Sequence, residues 1–141
     1  MKKKPTVSSL KKKAWKLCSE YIRRRDSDSN GMCRCITCGK TAHWKEMQAG
    51  HFVSGRTNGI LFDDRGIYAQ CMACNVFGQG KPLEYMIALE RMLGREEASK
   101  LRDELLWFKK RVLQFRCSDL EMIIDDYKQR IKQLIKEKGD V

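Results

Sequence analysis

The sequence lacks the features of membrane-embedded, exported and repetitive proteins. It contains no apolar run of about 18 residues, the length that crosses a bilayer, so we expect no membrane-spanning segment. Three lysines, Lys11–Lys13, stand where a signal peptide needs its apolar stretch, and the chain has no internal repeat. At 141 residues we expect one compact domain in the cell interior.

Acidic residues are scarce relative to basic ones, with 18 Asp and Glu against 29 Lys and Arg and a net charge of +11. Residues 1–25 contribute nine of these charges, since they hold ten basic residues and only one acid. Helical spacing of the apolar residues there predicts an amphipathic helix over residues 7–25. We expect its basic face to contact nucleic-acid phosphates, although a face that only solubilises the protein is the alternative. The basic side chains are Lys11, Lys12, Lys13, Lys16, Arg23, Arg24 and Arg25.

The chain has seven cysteines, which is an odd number, and we expect it in a reducing compartment. Disulfide bonds are therefore a poor explanation for these cysteines. Four of them form two Cys-x-x-Cys pairs, Cys35/Cys38 and Cys71/Cys74. Such pairs predict a tetrahedral, structural zinc site, with buried thiols as the alternative. Cys33 could replace a member of the first pair, whereas Cys18 and Cys117 lie on helical stripes and are predicted core residues.

The chain divides into three predicted regions of an α+β protein. Residues 1–32 form the basic helix and a turn, residues 33–80 lack a helical period, and residues 81–141 are helical. Short strands and a hairpin tied by metal are expected in the middle region. The tryptophans, Trp15, Trp44 and Trp107, are expected to fill cores rather than stack on bases.

Three helices are predicted in the last region. The first begins at Pro82, ends at Gly94 and has the stripe Leu83, Met86, Ile87, Glu90 and Leu93. The second covers residues 95–116 through Leu101, Leu105, Phe108 and Val112. A capping box, Ser118 to Glu121, opens the third, whose stripe is Leu120, Ile124, Tyr127, Ile131 and Leu134. These helices either pack on the zinc unit or form a dimer interface.

The segment between the two cysteine pairs carries a possible catalytic site. Asn75 follows Cys74 directly, so a metal bound to Cys74 would hold Asn75 rigidly. With His51 as a general base and the Asn75 oxygen on a cation such as Mg²⁺, this set suits phosphodiester cleavage. Arg56 and Lys81 could clamp the phosphate. A histidine that only packs, or lies exposed, is the alternative.

Five motifs occur in one order: Cys35-x-x-Cys38, Ala49-Gly50-His51-Phe52, Phe62-x-x-Arg65, Gln70-Cys71-x-x-Cys74 and Asn75. Over residues 9–98 this array resembles the lambda NinG (Rap) family of phage recombination nucleases. It is also similar to endonuclease VII-like HNH, or ββα-metal, nucleases. The resemblance implies a zinc-stabilised HNH-like core and an endonuclease for Holliday junctions and D-loops. It further implies Mg²⁺ or Mn²⁺, a homodimer, a phage or prophage origin and a place in the bacterial cytoplasm.

Carried onto this chain, the resemblance makes His51 the general base and Asn75 a metal ligand. Many HNH proteins have a second ligand, an Asp, before the base, whereas this chain has Gly50. Asp63 and Asp64 are the nearest acidic candidates for that ligand, and His43 is another. NinG-like sequences have Arg-Asn where this chain has Arg65-Gly66, so the Asn that usually supports the catalytic loop is missing.

Two other functions fit the sequence. A zinc-containing DNA-binding module without catalysis explains the charge and the cysteines, but gives His51 and Asn75 no role. A sequence-specific HNH endonuclease would instead cleave linear duplex at a fixed site.

Overall fold

The computed structural model describes residues 3–141; Met1 and Lys2, part of the basic N-terminal segment, lie outside the described residues. The chain is α+β, as predicted, with five helices and four short strands in the described part. In chain order they are α1 (Val7–Arg25), β1 (Met32–Arg34), β2 (Thr41–His43), β3 (Gln48–His51), α2 (Asn58–Leu61), β4 (Ile67–Gln70), α3 (Pro82–Leu93), α4 (Arg95–Lys109) and α5 (Cys117–Lys138).

Helix α1 matches the predicted basic helix in both bounds. Thr6 caps it, since its hydroxyl accepts a hydrogen bond from the Ser9 backbone N–H at 3.1 Å. One stripe of α1 is buried, and it faces α5 along most of its length. The buried residues are Leu10, Ala14, Cys18 and Ile22.

Two separate antiparallel pairs of strands form the middle of the chain. Strands β1 and β2 pair with Cys33 opposite Ala42. Strands β3 and β4 pair with Gly50 opposite Tyr68. A π-helical turn over Ala73–Phe77 follows β4 directly and carries Asn75.

Successive residues of β3 project to opposite faces of the β3–β4 pair. One face bears Ala49 and packs with Ile67 against Cys18 and Ile22 of α1 and Tyr127 of α5. On the other face lies Gly50, whose carbonyl oxygen accepts a hydrogen bond from the buried hydroxyl of Tyr85 in α3 at 2.7 Å. The strand pair is therefore enclosed by helices from both ends of the chain.

Helix α3 begins at Pro82 and ends at Gly94, as predicted, but the predicted buried stripe is wrong. Tyr85 and Leu89 are the buried residues, whereas Leu83 and Ile87 are exposed. The apolar residues of this helix lie on more than one of its sides, so helical spacing alone does not determine which side is buried. Tyr85 is buried because its ring packs on Phe52 and its hydroxyl has a backbone partner.

Helix α4 ends at Lys109, seven residues before its predicted end at residue 116. Side chains beside α2 bind the backbone there, since Thr57 Oγ1 donates to the Lys109 carbonyl and Asn58 Nδ2 to the Leu113 carbonyl. The chain continues as a loop in which Val112 is 94% exposed, so its predicted place on a helical stripe is wrong.

Helix α5 buries the predicted residues Leu120, Ile124, Tyr127 and Ile131, but the predicted capping box is wrong. The helix begins two residues earlier, with Arg116 rather than Ser118 as the N-cap, and the carboxylate of Asp119 accepts from the Arg116 backbone N–H at 2.8 Å. Its last turn returns to α1, where Lys138 Nζ donates to the carbonyls of Arg24, Arg25 and Ser27. Among residues 3–141, no helix has the length and apolar character to cross a bilayer.

Candidate metal centre and the β3–β4 site

The two Cys-x-x-Cys pairs meet, as predicted. The sulfur atoms of Cys35, Cys38, Cys71 and Cys74 all lie within 4.8 Å of one another. Cys38 Sγ and Cys71 Sγ are 3.6 Å apart, close to the separation of about 3.8 Å for two sulfurs on a tetrahedral zinc ion. The four side chains could therefore hold a structural metal such as zinc.

The protonation chemistry of these thiols also suits a cation. Burial would raise the pKa of Cys35, but hydrogen bonds from the Thr37 hydroxyl and from backbone N–H groups lower it to about 6. Burial raises the pKa of Cys74 to about 12, with the neighbouring thiols adding to the rise. Four thiolates therefore require a bound cation to offset their repulsion.

Asn75 lies beside this centre, on the π-helical turn that follows Cys74. Its Nδ2 donates to Gln48 Oε1 on β3 at 2.7 Å, which fixes the orientation of the amide. A Cβ at Gly50 would be 3.0 Å from Asn75 Oδ1, so this oxygen faces β3 at Gly50. No described hydrogen bond within residues 3–141 uses Asn75 Oδ1, which leaves it available to a ligand.

His51 ends β3, and its ring is held from two sides. It stacks on Trp15 of α1 with ring centroids 5.1 Å apart. Its Nε2 lies 3.1 Å from the carbonyl oxygen of Leu61, an acceptor, so Nε2 is the protonated nitrogen. The lone pair of the neutral ring is then on Nδ1, the nitrogen that could take a proton from water.

The charge state of His51 favours this role. Burial lowers the pKa of His51 and the nearby Arg56 guanidinium lowers it further, against a rise from the Leu61 carbonyl. Arg56 also lies over Trp15, with its guanidinium carbon 4.5 Å from the ring centroid. The structure thus brings His51, Arg56 and Trp15 together, whereas the sequence predicts only a core position for Trp15.

His51 and Asn75 do not share a face of the strand pair. His51 projects towards α1, whereas Asn75 approaches the face that bears Gly50. They lie beside consecutive positions at the end of β3, on either side of the strand. The two side chains therefore lie on opposite sides of β3, because Gly50 and His51 are successive residues of the strand and project to opposite faces.

The proposed second ligands lie elsewhere. Asp63 receives hydrogen bonds from Arg65, and Asp64 Oδ2 receives one from Arg130 at 2.7 Å, so both carboxylates are already paired. His43 Nδ1 accepts from the Lys45 backbone N–H on the cysteine side of the molecule. Among residues 3–141, none of the three has a described contact with Asn75, so the structure does not place them beside it as second ligands.

Gly66 occupies the place where the resemblance expects an Asn. A Cβ there would be 2.6 Å from Leu105 Cδ1 of α4. Leu105 is buried in the core that α4 forms with α3, so the space beside residue 66 belongs to apolar packing. A side chain at this position would require the Leu105 side chain to shift.

The predicted phosphate surface divides into two groups. Lys12, Lys13 and Lys16 are exposed, Lys11 is half-buried, and within residues 3–141 none of the four forms an ion pair. The three arginines instead bind the protein. Arg23 donates to the Trp44 carbonyl, Arg24 to Glu20, and Arg25 to the Ile67 carbonyl. Their prediction as a free phosphate surface is therefore corrected.

Lys81 lies near the turn that carries Asn75, and the three tryptophans differ in exposure. Lys81 is exposed and precedes α3 as its N-cap, with a positive φ of 48°. Its Cε lies 2.6 Å from the position that a Cβ on Gly78 would take, beside the turn that carries Asn75. Trp44 is buried, as expected, and Trp15 is half-buried. Trp107 is 52% exposed with Arg111 over its ring, so its predicted core position is wrong.

Comparison with known proteins identifies a family and several relatives of this chain. The family model described as "Bacteriophage Lambda NinG protein" matches residues 1–137. The chain is similar to "Protein ninG" of Escherichia phage 933W, with 31% identity over 64% of this chain and 43% of that protein. It is similar to "Protein ninG" of Salmonella phage P22 (28%) and of Escherichia phage lambda (26%), each over 87% of this chain and 56% of the relative.

The chain spans about half the length of these curated relatives, all of which are encoded by bacteriophages. No solved structure matches this fold. Because the family model covers nearly the whole chain, the protein belongs to the NinG family of bacteriophage lambda.

Proposed function

We propose that this chain is a divalent-cation-dependent endonuclease that cleaves branched DNA, such as a Holliday junction. The observation that carries the proposal is the state of His51. Its ring is oriented by the Leu61 carbonyl and the Trp15 ring, burial and the nearby Arg56 guanidinium lower its pKa, and no described hydrogen bond within residues 3–141 uses Nδ1. Such an arrangement suits a general base that acts on a bound phosphate.

In this mechanism His51 Nδ1 accepts a proton from water as the water oxygen attacks phosphorus. The bond from phosphorus to the 3′ oxygen breaks, and that oxygen takes up a proton, which gives 5′-phosphate and 3′-hydroxyl ends. Arg56 binds a phosphate oxygen and offsets the charge that develops in the transition state. Asn75 Oδ1 would hold a cation such as Mg²⁺, which supplies Lewis-acid stabilisation when bound.

Because His51 and Asn75 lie on either side of β3, this function requires the phosphate to lie at the end of that strand. Helix α1 supports such a path for the DNA. Lys11 and Lys12 precede Trp15 by one helical turn, so they lie on the same side of α1 as the ring that stacks on His51. The lysines contact the backbone without reading bases, which suits recognition of a branched shape. A homodimer would present two such sites to a symmetric junction.

The decisive experiment compares cleavage of a synthetic four-way junction by the wild-type chain, His51→Ala and His43→Ala. His43 is the matched control because the chain has only two histidines and His43 lies on the other strand pair. We expect Mg²⁺-dependent cuts by wild type and His43→Ala, and a loss of at least about 100-fold in rate for His51→Ala.

Other results would point to a different function. Tight junction binding without cleavage in Mg²⁺ or Mn²⁺ would mean a non-catalytic zinc-containing DNA-binding module. Preferential cleavage of unbranched duplex at a fixed sequence would mean a sequence-specific endonuclease.

A further inference from the structure

The side chain of Gln70 presents a buried oxygen that the fold leaves without a partner. Gln70 ends β4 and has 0% of its surface exposed. Its Oε1 is the buried side-chain atom that no protein group satisfies among residues 3–141. An unsatisfied buried carbonyl oxygen costs about 1–3 kcal/mol, so its retention in this position calls for an explanation.

The orientation of the Gln70 amide is fixed by its nitrogen. Nε2 donates to Thr37 Oγ1 at 3.1 Å and to the Gly80 carbonyl oxygen at 3.0 Å. Both hydrogens of the amide are thereby used, and rotating the amide by 180° would place an oxygen against the Gly80 carbonyl. Oε1 must therefore point away from these groups, towards β3.

The absent side chain of Gly50 provides the space into which Oε1 points. A Cβ at Gly50 would be 1.8 Å from Gln70 Oε1 and 3.0 Å from Asn75 Oδ1. The two amide oxygens therefore lie within about 5 Å of each other, a separation that two ligands of one cation can have when metal–oxygen bonds are about 2.1–2.5 Å. Both amides have fixed orientations, because Asn75 Nδ2 is held by Gln48 Oε1.

We infer that Gln70 Oε1 and Asn75 Oδ1 together bind one hard divalent cation between the π-helical turn and Gly50. Amide oxygens are ligands that Mg²⁺, Mn²⁺ and Ca²⁺ accept, and water would complete the coordination from the side of the half-buried Asn75, because Gln70 itself is fully buried. The site is distinct from the four-sulfur centre, whose soft ligands select zinc. Gln70 thus supplies the second protein ligand that Asp63, Asp64 and His43 do not. The use of this ion in DNA cleavage rests on the proposed function, whereas its binding does not.

The test measures Mn²⁺ binding by electron paramagnetic resonance on zinc-loaded protein without DNA. We expect one Mn²⁺ per chain, bound at least about tenfold more weakly by Gln70→Leu and by Asn75→Ala. Gln133→Leu makes the same substitution at an exposed position of α5 and is the matched control. It should bind Mn²⁺ with the affinity of wild type. Asn75→Asp should bind Mn²⁺ more tightly, because a carboxylate replaces the amide without a change in side-chain length.

Two results would overturn the inference: absence of bound Mn²⁺ in wild type at millimolar metal, or unchanged affinity in both Gln70→Leu and Asn75→Ala. If Gln70→Leu fails to fold, the opposite shifts of Asn75→Ala and Asn75→Asp still decide whether the Asn75 oxygen binds metal. In that case Gln70→Met, which keeps the length of the side chain but removes the hard amide oxygen, should bind Mn²⁺ more weakly than wild type, and unchanged affinity would remove Gln70 from the site. Because no DNA is present, a folded protein that binds Mn²⁺ but never cleaves junctions would keep this inference and reject the proposed endonuclease.

Discussion

At the scale of single residues, the absence of a side chain at Gly50 determines the arrangement of the β3–β4 site. Without a Cβ at this position, the Gln70 side chain can occupy the face of β3 and approach Asn75. A side chain at residue 50 would displace Gln70 from its hydrogen bonds with Thr37 and the Gly80 carbonyl. Gly50 therefore leaves open the space that the side-chain amide of Gln70 occupies.

Gly50→Ala is expected to lower both stability and Mn²⁺ affinity. The new methyl group would lie 1.8 Å from Gln70 Oε1, and the enforced shift should cost about 1–3 kcal/mol. Gly59→Ala is the matched control, because its methyl group would lie 2.1 Å from the Phe108 carbonyl, far along the chain from Gln70. Chemical denaturation should show a loss for both variants, and only Gly50→Ala should weaken Mn²⁺ binding. Equal Mn²⁺ affinity for all three proteins would contradict this account.

His51 predicts a particular dependence of cleavage on pH. The base must be neutral to accept a proton, and burial lowers its pKa below the ordinary value of 6.5. Cleavage should therefore rise as the pH increases through this lowered pKa and reach a plateau above it. Arg56→Gln removes a positive charge that also lowers the pKa, so the rising limb should move to higher pH. Rates measured on a four-way junction from pH 5 to 8 test the shift, and a limb that stays in place in Arg56→Gln would contradict it.

At the scale of elements, the sequence predicts most accurately those features for which residue spacing and the chemistry of particular residues agree. The bounds of α1 and α3 and the meeting of the four cysteines follow from apolar periodicity, Pro82, Gly94 and the paired thiols. The end of α4 could not be predicted, because Thr57 and Asn58 arrive from a distant part of the chain. The opposite faces of His51 and Asn75 depend on the pairing of β3 with β4, which spacing along the chain does not reveal.

The exposed lysines of α1 should determine the salt dependence of DNA binding. If Lys11, Lys12 and Lys13 each neutralise one phosphate, replacing all three with Gln should flatten the log–log salt slope by about three units. The matched control replaces Lys100, Lys132 and Lys136, which are exposed on α4 and α5 and carry the same total charge. Titration of a labelled junction at several salt concentrations gives both slopes. Identical slopes for the two triple variants would mean that α1 is only a charged, solubilising face.

The four-sulfur centre should contribute much of the stability of the strand pairs. Cys35 follows β1 and Cys71 follows β4, so one bound metal links both pairs. Cys71→Ser should remove one zinc per chain in elemental analysis and lower the free energy of unfolding by more than about 3 kcal/mol. Cys117→Ser, at the start of α5, is the control and should keep its zinc. A Cys71→Ser variant that retains zinc and full stability would exclude this centre as a structural metal site.

At the scale of the whole molecule, helices α1 and α5 are part of the unit that holds the site. The sequence suggested separate regions at residues 1–32 and 81–141, yet α5 packs along α1 and reaches β3–β4 through Tyr127. The Trp44 ring nitrogen donates to the carbonyl of Val141 at 2.8 Å, which ties the last residue to the cysteine side. Helix α1 in turn presents Trp15 to His51.

Loosening α5 should therefore disturb the site as well as the fold. Leu120 is 0% exposed between α5 and α1, so Leu120→Ala should cost about 2–5 kcal/mol of stability. Met122→Ala, on the same helix at 72% exposure, should stay within about 0.5 kcal/mol of wild type. Thermal unfolding measures the stability of each variant. Trp15 fluorescence in a Trp44→Phe, Trp107→Phe background reports whether the site around Trp15 is disturbed. If α5 supports the stacking of Trp15 on His51, the emission should change in Leu120→Ala and remain unchanged in Met122→Ala. Unchanged emission in a clearly destabilised Leu120→Ala would show that α5 stabilises the chain without positioning the site.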